Sequence, residues 1–302
     1  MNASASFSSA LGVVLGGDLV LTIGLPLVAG LSMEQLAGVI AHELGHFTQG
    51  MGMRLSYVVR SINAWFARIV YERDDWDEAL VQGCEEADGR FVLFLYLALL
   101  CVWLTRWVLW LLMIIGHALS CFLLRQMEYD ADRYAARLAG SEVFAETARK
   151  ILLLQLATNS AYGLAAVSWG KSGRLPDDLS ALILSIAGYI AAKDFRKIEK
   201  ELEKSKTGFF DTHPAHGERL ASVRREKASG IFHLDGPATQ LFQDFAKLSR
   251  AITLKFYRNV IGRRVTRDSL VPVGVFLDSE SVRGGTQGMP AEPSDAPIPL
   301  CD

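Results

Sequence analysis

The sequence predicts a mainly α-helical chain with a small N-terminal β-sheet and a transmembrane helical hairpin. Three observations carry this. Apolar residues recur at helical spacing at Leu36, Val39, Ile40, Leu44 and Phe47. Leu19-Val20-Leu21-Thr22, bounded by Gly24-Leu25-Pro26, reads as a short apolar strand. Phe91 to Leu124 is an almost unbroken apolar run, interrupted only by Arg106 and His117. Half of the 302 residues are hydrophobic and mean hydropathy is positive. A net charge of −2 implies no large basic surface, so no nucleic-acid partner is expected. Cys84, Cys101, Cys121 and Cys301 have neither metal nor redox spacing, and no disulfide framework is expected. Met1 to Phe7 has no basic region and does not read as a signal peptide.

The first helix starts at a capping box. Ser32 is a good N-cap, Gln35 completes the box, and Leu31 with Leu36 can form a hydrophobic staple around it. Gly50 is the expected C-terminal stop. Within this helix lies His42-Glu43-Leu44-Gly45-His46. One turn separates the histidines, so both imidazoles project from one face and can grip one zinc ion. Glu43 then stands beside the metal, placed to take a proton from an activated water, which is the chemistry of peptide-bond hydrolysis. Two helix-face histidines alone could be merely packed or solvated. An apolar, capped helix that buries His, Glu and His needs a reason, and a metal supplies one.

A catalytic zinc needs a third protein ligand with one position left open. No histidine follows at close range: the position six residues after His46 is Gly52. The best candidate is Glu128, which shares a helix face with Asp132 one turn later. Asp132 can accept a hydrogen bond from the outer N–H of His42, fixing its tautomer.

His42-Glu43-x-x-His46 followed by Glu128-x-x-x-Asp132 resembles the HtpX-like and CAAX-prenyl-protease-type membrane zinc metallopeptidases, a gluzincin family. Thr212-His213-Pro214, with Arg219 following, resembles the family's late His-Pro motif. Asn2-Ala3 resembles its substrate-edge segment. The resemblance implies a zincin-like helical metallopeptidase core holding one Zn2+ per chain and acting on protein or peptide substrates. His213 would then help hold the oxyanion, Arg219 would orient that loop or bind substrate, and Asn2 and Ala3 would offer backbone hydrogen bonds to an extended substrate. Of the family's two substrate classes, membrane-protein quality control fits better than a lipidated C-terminus, since nothing reads as a prenyl pocket. His216 and His233 match no motif and are expected on the surface.

As one straight helix, Phe91 to Leu124 would be about 50 Å long, well beyond a hydrocarbon core of about 30 Å. Halving it near Thr105-Arg106 gives two arms, with Trp103, Trp107 and Trp110 at a wet tip. Because both halves of the zinc site must lie on one side, the chain between them must cross the bilayer an even number of times, and a hairpin at 91–124 satisfies this. Arg90, Arg125 and most other basic residues flank the zinc side, so the positive-inside tendency puts the site in the cytoplasm, facing the inner membrane. Met53 to Tyr71 is an interfacial helix or an amphipathic surface helix.

Asp74 to Asp88 reads as a solvated acidic connection, and Ala145 to Leu164 as a helix packing on the core. Ser172 to Pro176 is a loop, Leu179 to Ala192 an apolar helix too short to span, and Phe195 to Lys206 a solvated helix. Pro237 to Ile261 suggests a last helix, and Arg263 to Arg267 a basic surface patch. Residues 1–282 form one domain, and 283–302 a disordered tail. Two rival functions remain: a non-catalytic membrane scaffold with a structural zinc, and a soluble zinc peptidase with a buried helical hairpin.

Overall fold

A computed structural model describes residues 3–7, 19–48, 50–72, 82, 92–190 and 192–283. The expectations for Asn2, for most of the 74–88 connection, for Cys84 and for the tail beyond Arg283 lie outside these residues.

The chain is mainly helical with a small N-terminal sheet. Strands β1 (Ala3–Phe7) and β2 (Leu19–Ile23) pair antiparallel, with Ala3 opposite Ile23 and Phe7 opposite Leu19. Pro26 at the start of the short helix α1 (Leu25–Gly30) fixes the turn out of β2. Helix α2 (Met33–Thr48) then begins with the expected reciprocal box: Gln35 N–H donates to Ser32 Oγ (3.2 Å), and Ser32 N–H to Gln35 Oε1 (3.1 Å). Leu31 and Leu36 are both buried, in a cluster with Ala3, Leu27, Val28 and Ala238.

Helix α2 ends at Thr48, and Gly50 opens the next helix, α3 (Gly50–Tyr71), rather than lying beyond a stop. The main correction concerns the apolar run. No hairpin lies within 91–124. Helix α4 (Val92–Ala139) is continuous through 48 residues, about 70 Å. The reason is local: Thr105 and Arg106 contain no helix breaker. Thr105 Oγ bonds back to the Cys101 carbonyl at 2.8 Å within the ladder, and Arg106 reaches the Glu72 carbonyl at 3.5 Å.

The hairpin is instead made by α3 and α4. Arg106 meets Glu72 near the tip, and Asn63 lies over Gly116 lower down, so the two helices run antiparallel. Met53 to Tyr71 is thus the outgoing arm, and its other face exposes Val58, Ile62, Trp65 and Tyr71. Among the described residues, α4 and the following helix α5 (Ser141–Ser172) are long and apolar enough to cross a membrane. They differ in surroundings: Leu93, Phe94, Leu97, Leu100, Leu112 and Ile115 of α4 are exposed, whereas α5 runs through the main core.

That core joins Leu154, Ala157, Ala161 and Ala165 of α5 to Leu182, Ile183 and Ile186 of α6 (Leu179–Tyr189). Tyr257 and Phe276, from the last two helices, close it. Asp178 caps α6 by accepting from Ala181 N–H at 3.1 Å. Leu175–Pro176 is not a plain loop: it forms a short parallel strand pair, β3, with β4 (Leu270–Val271). Helices α7 (Ala192–Lys204) and α8 (His216–Glu226) follow. The expected helix over 237–261 is divided: a 3-10 turn (Ala238–Leu241) precedes α9 (Phe245–Val260), which Asp244 caps by accepting from Lys247 N–H at 3.0 Å. Helix α10 (Val273–Arg283) ends the described chain.

Candidate metal and catalytic centre

Helices α2 and α4 cross at Gly45. A side chain there would press on the Ala131 backbone, with a Cβ only 3.1 Å from its Cα. The glycine between the two histidines therefore lets α2 close on α4, one turn from Glu128. The ligand atoms of His42, His46 and Glu128 all lie within 4.8 Å of one another, close enough to hold one metal ion. His42 Nε2 is 3.6 Å from one Glu128 oxygen, and His46 Nε2 is 3.9 Å from the other. Tetrahedral ligands at about 2.1 Å from zinc stand about 3.4 Å apart, so both histidine–carboxylate separations lie within about half an ångström of that spacing. The two imidazoles meet edge to face with centroids 4.9 Å apart. Burial, and then the proximity of His42, push the His46 imidazole below its ordinary pKa, which favours the neutral ligand form.

Asp132 is fully buried behind the site. Its carboxylate approaches His42 Nδ1 to 3.0 Å, but without hydrogen-bond alignment, so that buried nitrogen lacks a well-aligned acceptor. Arg219, from α8, donates to both Asp132 oxygens, from Nε at 2.8 Å and from Nη2 at 2.6 Å. Burial pushes the Asp132 carboxyl up, but the hydrogen bonds from Arg219 and the proximity of His42 outweigh it and hold the group below the usual carboxylate range. The same Nη2 stands 3.8 Å from Glu128, so one guanidinium faces both acids.

His213 sits on the loop entering α8. Its Nδ1 lies 3.0 Å from the Glu128 carboxylate, while 71% of its side chain is exposed. The loop is pinned by Thr207, whose hydroxyl donates to Glu218 (2.6 Å) and accepts from Ala215 N–H (2.8 Å). Tyr129 of α4 holds the same Glu218 at 3.2 Å.

Glu43 and His42 line a cavity of about 300 Å³ that otherwise has largely apolar walls, including Val39, Phe144, Ile151 and Leu152. Ala3, at the start of β1, also lines it. The structure thus brings together His42, Glu43, His46, Glu128, Asp132, His213 and Arg219, with Ala3 at the cavity wall. His233 is exposed, as expected. His216 is not a plain surface residue: it is half-buried, lines this cavity, and is pushed below its ordinary pKa by burial and then by Arg219. A signal was present, since His216 stands three residues before Arg219 and so shares its helix face.

A sequence model described as peptidase family M48 matches residues 8–227, a span holding every one of these residues except Ala3. The protein named Protease HtpX from Acinetobacter baylyi (strain ATCC 33305 / BD413 / ADP1) is 23% identical over 215 residues, covering 69% of this chain and 58% of that protein. Protease HtpX from Acinetobacter baumannii (strain AYE) is 25% identical over 215 residues, with the same coverage. The chain thus spans 58% of the length of these curated relatives. No solved structure matches it significantly.

Proposed function

Because the chain belongs to peptidase family M48, we propose that it is a membrane-bound zinc metalloendopeptidase, holding one zinc through His42, His46 and Glu128. One observation carries the reading: His42, one of the three clustered ligand groups, and Glu43 line the same cavity. A purely structural zinc has no use for such a neighbour. Bound there, zinc would supply Lewis acidity, polarising the scissile carbonyl and acidifying a water. Glu43 takes the proton as that water attacks and passes it to the leaving amine. Asp132 orients His42, and Arg219 holds Asp132 in place. His213, whose Nδ1 lies 3.0 Å from Glu128, donates a hydrogen bond to the oxygen on which negative charge develops. Asn2 and Ala3 offer main-chain hydrogen bonds to an extended substrate.

Residues 1–282 act as one domain, with α3 and α4 as its membrane arms. Two arms keep both halves of the site on one side. Residues 107–124 of α4, between Arg106 and Arg125, measure about 27 Å, close to a hydrocarbon core of about 30 Å. Trp103, Trp107 and Trp110 then mark the far interface, and the active site faces the cytoplasm from the inner membrane. Its substrates are proteins of that membrane.

Treating the protein in detergent with a zinc chelator is expected to abolish casein cleavage, and one equivalent of zinc to restore it. Cleavage that survives complete zinc removal would overturn the reading.

The cavity accommodates one large apolar substrate side chain next to the scissile bond. Ala148→Trp, which fills it from α5, is expected to shift cleavage toward sites with glycine or alanine at that position. Zinc content should not change. Mass-spectrometric mapping of casein products before and after the substitution checks this.

A further inference from the structure

The loop between α7 and α8 exposes two adjacent aromatic side chains, Phe209 (69% exposed) and Phe210 (47%). The loop folds back along α4 on the membrane side of the site. Phe210 stacks on His117, with centroids 5.5 Å apart and planes 20° off parallel. Arg125 donates to the carbonyls of Phe209 (3.1 Å) and Asp211 (2.8 Å), and the Cys121 thiol donates to the carbonyl of Phe210 (3.2 Å). Three consecutive carbonyls are thus each satisfied by a side chain of the apolar helix. Asp211 further accepts from Gly208 N–H at 2.6 Å, and Asp211 N–H donates to Gly208 O at 3.2 Å. An exposed loop in water has no need of protein donors for its carbonyls, because water serves. A loop pressed into lipid does.

The position agrees. Phe210 is level with His117 to Cys121, which lies about 6 to 12 Å along the helix from Arg125, toward the bilayer. Over the same stretch of α4, Ile115, Leu119 and Phe122 are exposed on its opposite face. Lys204 and Lys206, both exposed, stand just before the two phenylalanines, where anionic headgroups would meet them.

We propose that Phe209 and Phe210 form a lipid-inserted anchor, which seats the His213 loop on an anionic bilayer surface. The inference rests on the membrane placement of α4 above. The test uses the full chain, carrying an environment-sensitive fluorescent amino acid at a single position, in vesicles of phosphatidylcholine and phosphatidylglycerol with nitroxide-labelled acyl chains. Three positions are compared: 209, 115 on the lipid face of α4, and 231. Ile231 is 82% exposed but bonds to the Leu138 carbonyl, at the end of α4 away from the bilayer.

The expected result is blue-shifted, quenched emission at 209, matching 115, with emission at 231 unquenched. Quenching at 115 but not at 209 overturns the anchor alone. An unquenched 115 overturns the membrane placement and the anchor with it. Equal quenching at 209 and 231 overturns the anchor by showing that lipid contact does not single out this loop. A reporter at 210 repeats the measurement if the protein labelled at 209 does not fold.

Discussion

Replacing Glu43 with glutamine is expected to lower casein cleavage about 10³-fold while leaving one zinc per chain, because the substitution removes a proton carrier and no ligand. Glutamine keeps the size and polarity of the side chain but cannot accept a proton. The proposed ligand atoms belong to His42, His46 and Glu128, so metal content should be untouched. The paired readout makes the experiment decisive. Equal cleavage by both proteins removes Glu43 from the mechanism. Loss of zinc in the variant would mean that the residue helps to hold the metal. If neither protein binds zinc, the ligand assignment fails.

Arg219→Met should be the most damaging change away from the ligands. Asp132 is fully buried, and the bidentate guanidinium is its main compensation. Removing one partner of a buried pair costs about 3 to 5 kcal/mol, because the other charge is left stranded. Zinc affinity should fall about 10- to 100-fold as His42 loses a well-held orienting carboxylate. The pH dependence follows from the low Asp132 pKa. A carboxyl held below its unfolded value contributes stability fully above about pH 4 and loses it as acid protonates the folded group. In the variant burial is no longer outweighed, so protonation relieves the strain instead. The stability gap between the two metal-free proteins should therefore narrow as pH falls. Thermal unfolding from pH 7 to pH 3, with zinc titrations at pH 7, measures both effects. A variant with wild-type stability and zinc affinity would show that Asp132 needs no such partner.

Much of the site was legible because its chemistry is written in local spacing. One helical turn fixes His42 to His46 and Glu128 to Asp132, and the Ser32–Gln35 box depends only on neighbours. The meeting of the two helices was less legible, because it rests on Gly45 closing against the Ala131 backbone, a fit between distant segments. The place of the hairpin is not legible from apolar length alone. A run of about 50 Å exceeds a bilayer and invites a bend, yet Thr105 and Arg106 offer nothing that breaks a helix. The true outgoing arm was obscured by Arg54, Arg60 and Arg68, which lower the apolar signal of α3. Arg219 stands out in the sequence only by its motif, because its grip on Asp132 comes from two elements that approach only in the folded chain.

Helix α4 also has a mechanical meaning. No hinge separates the part that the bilayer would grip from the turn that carries Glu128, so the rod acts as a lever. A tilt of about 5° over a span of about 30 Å moves the far end by more than 2 Å, while ligand positions must hold to a few tenths of an ångström. Transmembrane helices tilt to match bilayer thickness. In the proposed membrane placement, the carboxylate on α4 and the imidazoles on α2 would then respond unequally to a thinning membrane, and lipid thickness would become a physical input to the geometry of the proposed metal centre.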